Sequence, residues 1–141
     1  MKKLLLVFMC AIMSASTVFA DFTDEYNLWS ELNLESPSDL NTAFQRLLTM
    51  ARAYKMGNGE DNAMKAAIIK ALNLICEKYY YDKLEYGDNW WYFEIGIPTS
   101  FSDILILMNG SISDSDIETY VGCINYFCPT AEKRRDSSVT E

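Results

Sequence analysis

The chain has 141 residues, of which 12 are basic and 20 acidic, and with no histidine its formal charge is −8. A strongly acidic chain is a poor partner for nucleic acid or for an acidic membrane surface, so we exclude both classes of function. This length favours one domain, in which folding buries roughly two-thirds of the surface of the chain.

The N-terminus has the pattern of a secretory signal peptide. A basic start at Met1 to Lys3 is followed by an apolar run from Leu4 to Met13 and by small residues before Ala20. We predict cleavage after Ala20. The apolar run is too short to span a bilayer, because a spanning helix needs about 20 apolar residues. We therefore expect a secreted or periplasmic protein with no membrane contact once the signal peptide (1–20) is removed.

Apolar residues at helical intervals predict two helices after the signal peptide. Phe22, Tyr26, Trp29 and Leu32 indicate a short first helix with Trp29 in the core. Ser36 as N-cap and Pro37 at the first helical position begin the second helix, which stops at 57–59. Its buried stripe comprises Leu40, Ala43, Phe44, Leu47, Leu48, Ala51 and Tyr54.

Three more helices follow. The first starts at Asp61 or Asn62, and the short loop before it predicts an antiparallel helical hairpin with the preceding helix. The second begins at Pro98 or Thr99 and is closed by 109–110. The third is capped by Ser113. The stripes of the first and third are Met64, Ile68, Ala71, Leu72, Ile75 and Tyr79, and Ile117, Tyr120, Val121, Ile124 and Phe127.

No alternation of apolar and polar residues persists long enough for a sheet, so we predict an all-α fold over residues 21–129. Residues 130–141 are polar and charged with almost nothing to bury, which is typical of a disordered tail.

Three cysteines remain in the mature chain, Cys76, Cys123 and Cys128. An odd number leaves at least one thiol unpaired in an oxidising compartment. Cys76 lies in an apolar helical row and is interpreted as a core residue. The spacing of Cys123 and Cys128 is poor for zinc, and histidine is absent from the sequence, so we expect neither a metal nor another cofactor.

The most distinctive stretch is residues 89–98, N-W-W-Y-F-E-I-G-I-P, with two adjacent tryptophans. A turn at 87–88 precedes it, and Gly96 and Pro98 predict that no helix runs through it, so we expect a connection between helices. Adjacent side chains of an extended segment point to opposite sides, and at least one of Trp90 and Trp91 should be available to a ligand. The alternative is that both rings fill the gap between hairpins. Glu94 is interpreted as a hydrogen-bond or helix-cap partner and not as a catalyst.

The order N-W-W-x-x-E-I-G-I-P, followed at once by the apolar helix 101–108, resembles the N-terminal α-domain of polysaccharide lyase family 8. That family contains hyaluronate, chondroitin AC and xanthan lyases, and the resemblance extends over roughly residues 22 to 128. It implies that the helical hairpins form the first part of an incomplete α/α toroid.

The resemblance also implies a function. Family 8 enzymes cleave uronic-acid-containing polysaccharides by β-elimination, with an asparagine, a histidine, a tyrosine and an arginine from later segments. No catalytic residue is therefore assigned here. Asn89 matches the polar residue of the family's cleft, and Trp90 and Trp91 match its aromatic patch, on which sugar rings stack. We expect these three residues to bind polysaccharide.

Two alternatives stay open. A small secreted helical-hairpin module would bind another protein, or itself, through an open apolar face. Alternatively, this chain supplies one wall of an active lyase and another polypeptide supplies the rest. The sequence does not choose among the polysaccharides.

Overall fold

The computed structural model describes residues 28–82 and 84–129. The predicted signal peptide, most of the predicted first helix and the predicted tail lie outside these ranges. Residues 28–32 are the part of that helix which is described. Residues 28–31 form turns and bends and residue 32 is irregular, so a helix is not found there. Trp29 is nevertheless fully buried, as predicted.

Helices make up the regular structure of both described ranges, and no strand occurs in them. Helix α1 spans Pro37–Met56, α2 spans Asn62–Lys78, α3 spans Ile97–Leu107 and α4 spans Asp114–Phe127. A π-helix, Tyr92–Gly96, leads directly into α3. The predicted all-α class is confirmed. None of the described helices is long and apolar enough to cross a membrane.

The helix ends follow local chemistry. Asp61 caps α2 by accepting a hydrogen bond of 2.9 Å from the backbone N–H of Met64, and Ser113 caps α4 in the same way at 3.2 Å from the N–H of Asp116. Ser36 occupies the N-cap position of α1 without a side-chain cap bond. Its hydroxyl instead lies 3.0 Å from that of Ser38.

Helices α1 and α2 form the predicted hairpin. Asn58 and Gly59 adopt positive φ angles of 63° and 71° in the loop between them, and the Gly59 N–H donates to the carbonyl of Tyr54 at 2.9 Å. Helix α1 also packs extensively along α3, and α4 contacts both α2 and α3. Helix α1 is therefore the central element against which the others are arranged.

Aromatic rings fill the core between these helices. Tyr80 is fully buried at its centre. Its ring centroid is 4.4 Å from that of Phe127, 5.8 Å from that of Phe44 and 5.9 Å from that of Phe93. Val121, predicted to lie in the buried stripe of α4, is exposed, and Cys123 is buried in that helix instead. This aromatic core supports the segment that carries the two adjacent tryptophans.

Candidate functional site

Residues 90–98 are helical, and the predicted extended connection is wrong. Trp90 and Trp91 form a helical turn that continues through the π-helix into α3. In the π-helix the N–H of Ile97 donates to the carbonyl of Tyr92, five residues earlier. Pro98 is accommodated at the start of α3. The residues read as helix breakers therefore lie inside one helical run.

Two distant side chains compensate for Pro98, which has no N–H to donate to the carbonyls of the preceding turn. The hydroxyl of Tyr80 donates to the carbonyl of Phe93 at 2.9 Å. The thiol of Cys128 donates to the carbonyl of Glu94 at 3.1 Å. Because buried backbone carbonyls need partners, these two bonds stabilise a helix that the local sequence disfavours.

Trp91 is the exposed ring of the segment. It is 47% exposed, and Ile95, four residues on and on the same helical face, is 43% exposed. Trp90 is only partly exposed. One tryptophan ring is thus exposed to solvent, and the cause is a helical arrangement and not an extended one.

The Trp91 ring lies against Gly96. Its atoms Cζ3 and Cη2 are 2.9 Å and 3.2 Å from the position that a Cβ on Gly96 would occupy. On the same side, the Oδ1 of Asn41 is 2.7 Å from that position. Asn41 belongs to α1 and is 7% exposed. Glycine at 96 is therefore required by close packing, since its φ of −62° is an ordinary helical angle.

Asn89 is placed differently from the tryptophans. Its side-chain amide donates to the carbonyl of Tyr86 at 3.1 Å, and its own carbonyl accepts from the N–H of Tyr92 at 3.1 Å, so it fixes the turn before the helical run. It also borders a cavity of about 290 Å³. Trp90 and Trp91 are not among the described residues that line this cavity, which are Leu34, Glu35, Pro37, Leu40, Lys78, Tyr79, Leu84, Glu85, Tyr86, Asn89 and Phe93.

Glu94 is a hydrogen-bond partner, as interpreted from the sequence. It is buried, and its Oε1 accepts a hydrogen bond of 2.8 Å from the hydroxyl of Tyr86. The ring of Tyr86 stacks on Phe93 with centroids 5.1 Å apart. The loop that carries Asn89 is thereby held on the inner face of the π-helix.

Sequence reasoning missed the close packing of Gly96 against Trp91 and against Asn41. Gly96 was interpreted only as a helix breaker, and Asn41 was not singled out. A buried polar residue within the apolar stripe of α1 was the available signal for Asn41. Its contact with a glycine 55 positions further along the chain is a tertiary feature that no local pattern contains.

The described helices have the arrangement found in polysaccharide lyases of the α/α toroid type. A xanthan lyase from Paenibacillus matches with a TM-score of 0.76 at 25% identity, over 83% of this chain and 12% of that one. A chondroitin AC lyase from Streptomyces coelicolor A3, solved in complex with chondroitin sulphate, shows the same fold with a TM-score of 0.76 at 24% identity, over 84% of this chain and 17% of that one.

Sequence comparison gives the family. The family described as "Polysaccharide lyase family 8, N terminal alpha-helical domain" matches residues 13–140. The chain belongs to this family.

Two curated relatives agree with that assignment. Hyaluronate lyase HylB of Enterococcus faecalis (strain ATCC 700802 / V583) is 30% identical over 111 residues, which are 76% of this chain and 11% of the relative. Xanthan lyase of Bacillus sp. (strain GL1) is 33% identical over 111 residues, which are 73% of this chain and 12% of the relative. The chain thus spans only about a tenth of the length of these enzymes.

Proposed function

We propose that this chain is a polysaccharide-binding wall of a family 8 lyase, in which Asn89, Trp90 and Trp91 bind a uronic-acid-containing polysaccharide such as hyaluronan or chondroitin. The observation that carries the proposal is the exposure of Trp91, whose ring is 47% exposed on a helical support. Homologues that act on polysaccharides make a polysaccharide the natural ligand of such a ring.

The support of Trp91 favours binding over core packing. One side of the ring packs over Gly96, so the ring lies against the helix and a sugar would stack on its accessible side. A ring already held in place loses little conformational entropy when a ligand binds. Sugar rings present apolar C–H faces, and an aromatic surface binds them without requiring positive charge. This suits a chain with a formal charge of −8.

The two neighbours of Trp91 have different roles in the proposal. Trp90, which is partly exposed, extends the aromatic surface along the helical turn. Asn89 is exposed beside the cavity of about 290 Å³ and presents an amide to the hydroxyl or carboxylate groups of the polymer. The site should bind polysaccharides that differ in the kind and order of their sugar units, because stacking depends more on the shape of the sugar ring than on its substituents.

Catalysis is proposed to depend on residues other than these. The resemblance implies a β-elimination in which a base removes the C5 proton of the uronic acid while polar and cationic groups neutralise its carboxylate. Histidine, one of the groups implied, does not occur in this sequence. We therefore assign binding to this chain and no catalytic residue.

The test is a calorimetric titration of the purified chain with hyaluronan, chondroitin and xanthan fragments. Trp91→Ala should weaken binding by about twofold to tenfold, since a stacked aromatic contact contributes about 0.5–1.5 kcal/mol. Tyr81→Ala is the matched control, because Tyr81 is an exposed aromatic residue outside the segment. Equal affinities of the two variants and the wild type would refute the site.

A second candidate function is self-association or binding of another protein through an apolar face. It is favoured by Ile106 of α3, which is 71% exposed, a large apolar side chain in contact with solvent. Sedimentation velocity of the wild type and of Ile106→Asp over a range of concentrations tests it. Dimerisation abolished by the substitution, without a response to polysaccharide, would favour this function over the first.

A further inference from the structure

Helices α2 and α4 run parallel to each other in a constant register. The hydroxyl of Tyr120 donates to the Oδ1 of Asn73 at 2.6 Å, across a separation of 47 positions in sequence. Seven residues further on in each case, and with the same separation, the ring of Tyr80, just beyond the end of α2, has its centroid 4.4 Å from that of Phe127 at the end of α4. Two contacts of equal offset fix which residues of the two helices face each other.

The cysteines Cys76 and Cys123 lie between these two contacts at the same offset. Cys76 follows Asn73 by three residues, and Cys123 follows Tyr120 by three residues. Each cysteine therefore lies on the same face of its helix as the residue that makes the first contact. Both are buried, at 6% and 9% exposure, and their thiols form a hydrogen bond with each other. The thiols of Cys76 and Cys123 are therefore neighbours between α2 and α4, although the two cysteines are 47 positions apart in the sequence.

We propose that Cys76 and Cys123 form a disulfide bond that joins α2 to α4 when the protein reacts with a small-molecule or protein disulfide. Cys128 then remains a reduced thiol. The parallel register places the two thiols on facing sides of α2 and α4. Cys128 is engaged elsewhere, since its thiol donates to the carbonyl of Glu94 at 3.1 Å.

The environment of the pair separates the roles of the two thiols. The hydrogen bond from Cys76 lowers the pKa of the Cys123 thiol, and the same bond raises the pKa of Cys76. Cys123 is therefore the thiol that ionises first and attacks. Its neighbour Gly122 is exposed, with no atom within 4 Å of the position of a Cβ, so the helix backbone next to Cys123 faces solvent.

The reaction is a thiol–disulfide exchange in two steps. The thiolate of Cys123 attacks one sulfur of the external disulfide, whose S–S bond breaks, and one external thiol leaves. The sulfur of Cys76, after loss of its proton to solvent, then attacks the Cys123 sulfur of the mixed disulfide and releases the second external thiol. Two protein thiols are oxidised to one disulfide, and one external disulfide is reduced to two thiols.

The experiment exposes the folded, purified chain to oxidised glutathione and then blocks the remaining thiols with an alkylating reagent in denaturant. Digestion with trypsin and chymotrypsin follows, because trypsin alone leaves Cys123 and Cys128 in one peptide, whereas chymotrypsin cuts between them after Phe127. We expect a linked pair of peptides that contain Cys76 and Cys123, and Cys128 in the alkylated form.

Matched variants complete the test. Cys128→Ser should still lose two thiols on oxidation, and its urea unfolding midpoint should rise as that of the wild type does. Cys123→Ser should form no internal disulfide and show no rise. If the wild type instead yields only glutathione adducts, or links Cys128 to either of the other two cysteines, the proposal is wrong. The peptide map of the wild type identifies the linked cysteines directly, so it tests the proposal even if a variant fails to fold.

Discussion

Gly96→Ala should destabilise the protein and displace the ring of Trp91. Alanine is a better helix former than glycine, and at the helical φ of Gly96 this alone would stabilise by about 1 kcal/mol. The new Cβ, however, would lie 2.7 Å from the Oδ1 of Asn41 and 2.9 Å from the Cζ3 of Trp91. Overpacking of this kind costs about 1–3 kcal/mol, so we expect a net loss of about 0–2 kcal/mol.

The two neighbours differ in how easily they yield. Asn41 is buried on α1, whereas the ring of Trp91 is 47% exposed, so a new Cβ can push the ring outward into solvent more easily than it can displace Asn41. We therefore expect the tryptophan to move, which removes the support for stacking. Polysaccharide affinity should fall together with stability, although the tryptophan itself is retained.

Gly122→Ala is the matched control. Gly122 lies within α4, and a Cβ there would meet no atom within 4 Å. This variant should gain about 1 kcal/mol from helix propensity alone. Urea unfolding followed by far-UV circular dichroism measures both variants. If Gly96→Ala were stabilised as much as Gly122→Ala, the close contact between Gly96, Asn41 and Trp91 would be disproved.

Three further predictions concern the supports of the fold. Tyr80→Phe should lose about 1–3 kcal/mol in urea unfolding, because the buried carbonyl of Phe93 loses its donor; an unchanged midpoint would contradict this. Burial raises the pKa of Tyr80, so above about pH 10 the unfolded chain ionises this phenol while the folded chain keeps it neutral. Tyr80 alone should therefore lower the stability of the wild type by about 1.4 kcal/mol per pH unit, in addition to the fall caused by other groups with raised pKa values, such as Tyr120. Tyr80→Phe should show a shallower fall over the same range, and identical slopes would exclude Tyr80 as the cause. Asp61→Ala should cost about 1 kcal/mol through loss of the cap on the Met64 N–H, whereas Asp61→Asn retains an acceptor and should cost less.

The hairpin and its boundaries could be predicted because their causes are local. Asp61 and Ser113 are cap residues whose partners lie three positions away. The apolar stripe of α1 was read directly from its spacing, and all seven of its predicted members are buried. Such features depend on the spacing of apolar residues and on hydrogen bonds between residues a few positions apart, and both can be inferred from the sequence.

The helical course of residues 90–98 could not be predicted, because its causes are distant. Gly96 and Pro98 are helix breakers when considered locally. In the folded chain Tyr80 and Cys128, separated by 13 and 34 positions from their acceptors, bind the carbonyls of Phe93 and Glu94. Only the assembled core brings these donors to the helix.

The candidate site was predictable in composition but not in geometry. The adjacent tryptophans indicated residues 89–91 as a candidate site, and at least one exposed ring was expected. Which ring is exposed depends on the helical phase of the segment and on the contact of Trp91 with Gly96. That contact, together with the exposure of Ile95 on the same face, follows from the π-helix and not from the motif.

The most direct test of the account is a titration of the folded protein with uronate oligosaccharides, followed by NMR of its tryptophan indole N–H signals. The chain has three tryptophans, and Trp91→Phe assigns the signal in question. We predict a saturable shift of the Trp91 signal, a smaller shift for Trp90, and none for Trp29, which is fully buried. A Trp91 signal that stays unchanged at saturating oligosaccharide would contradict the proposed binding surface.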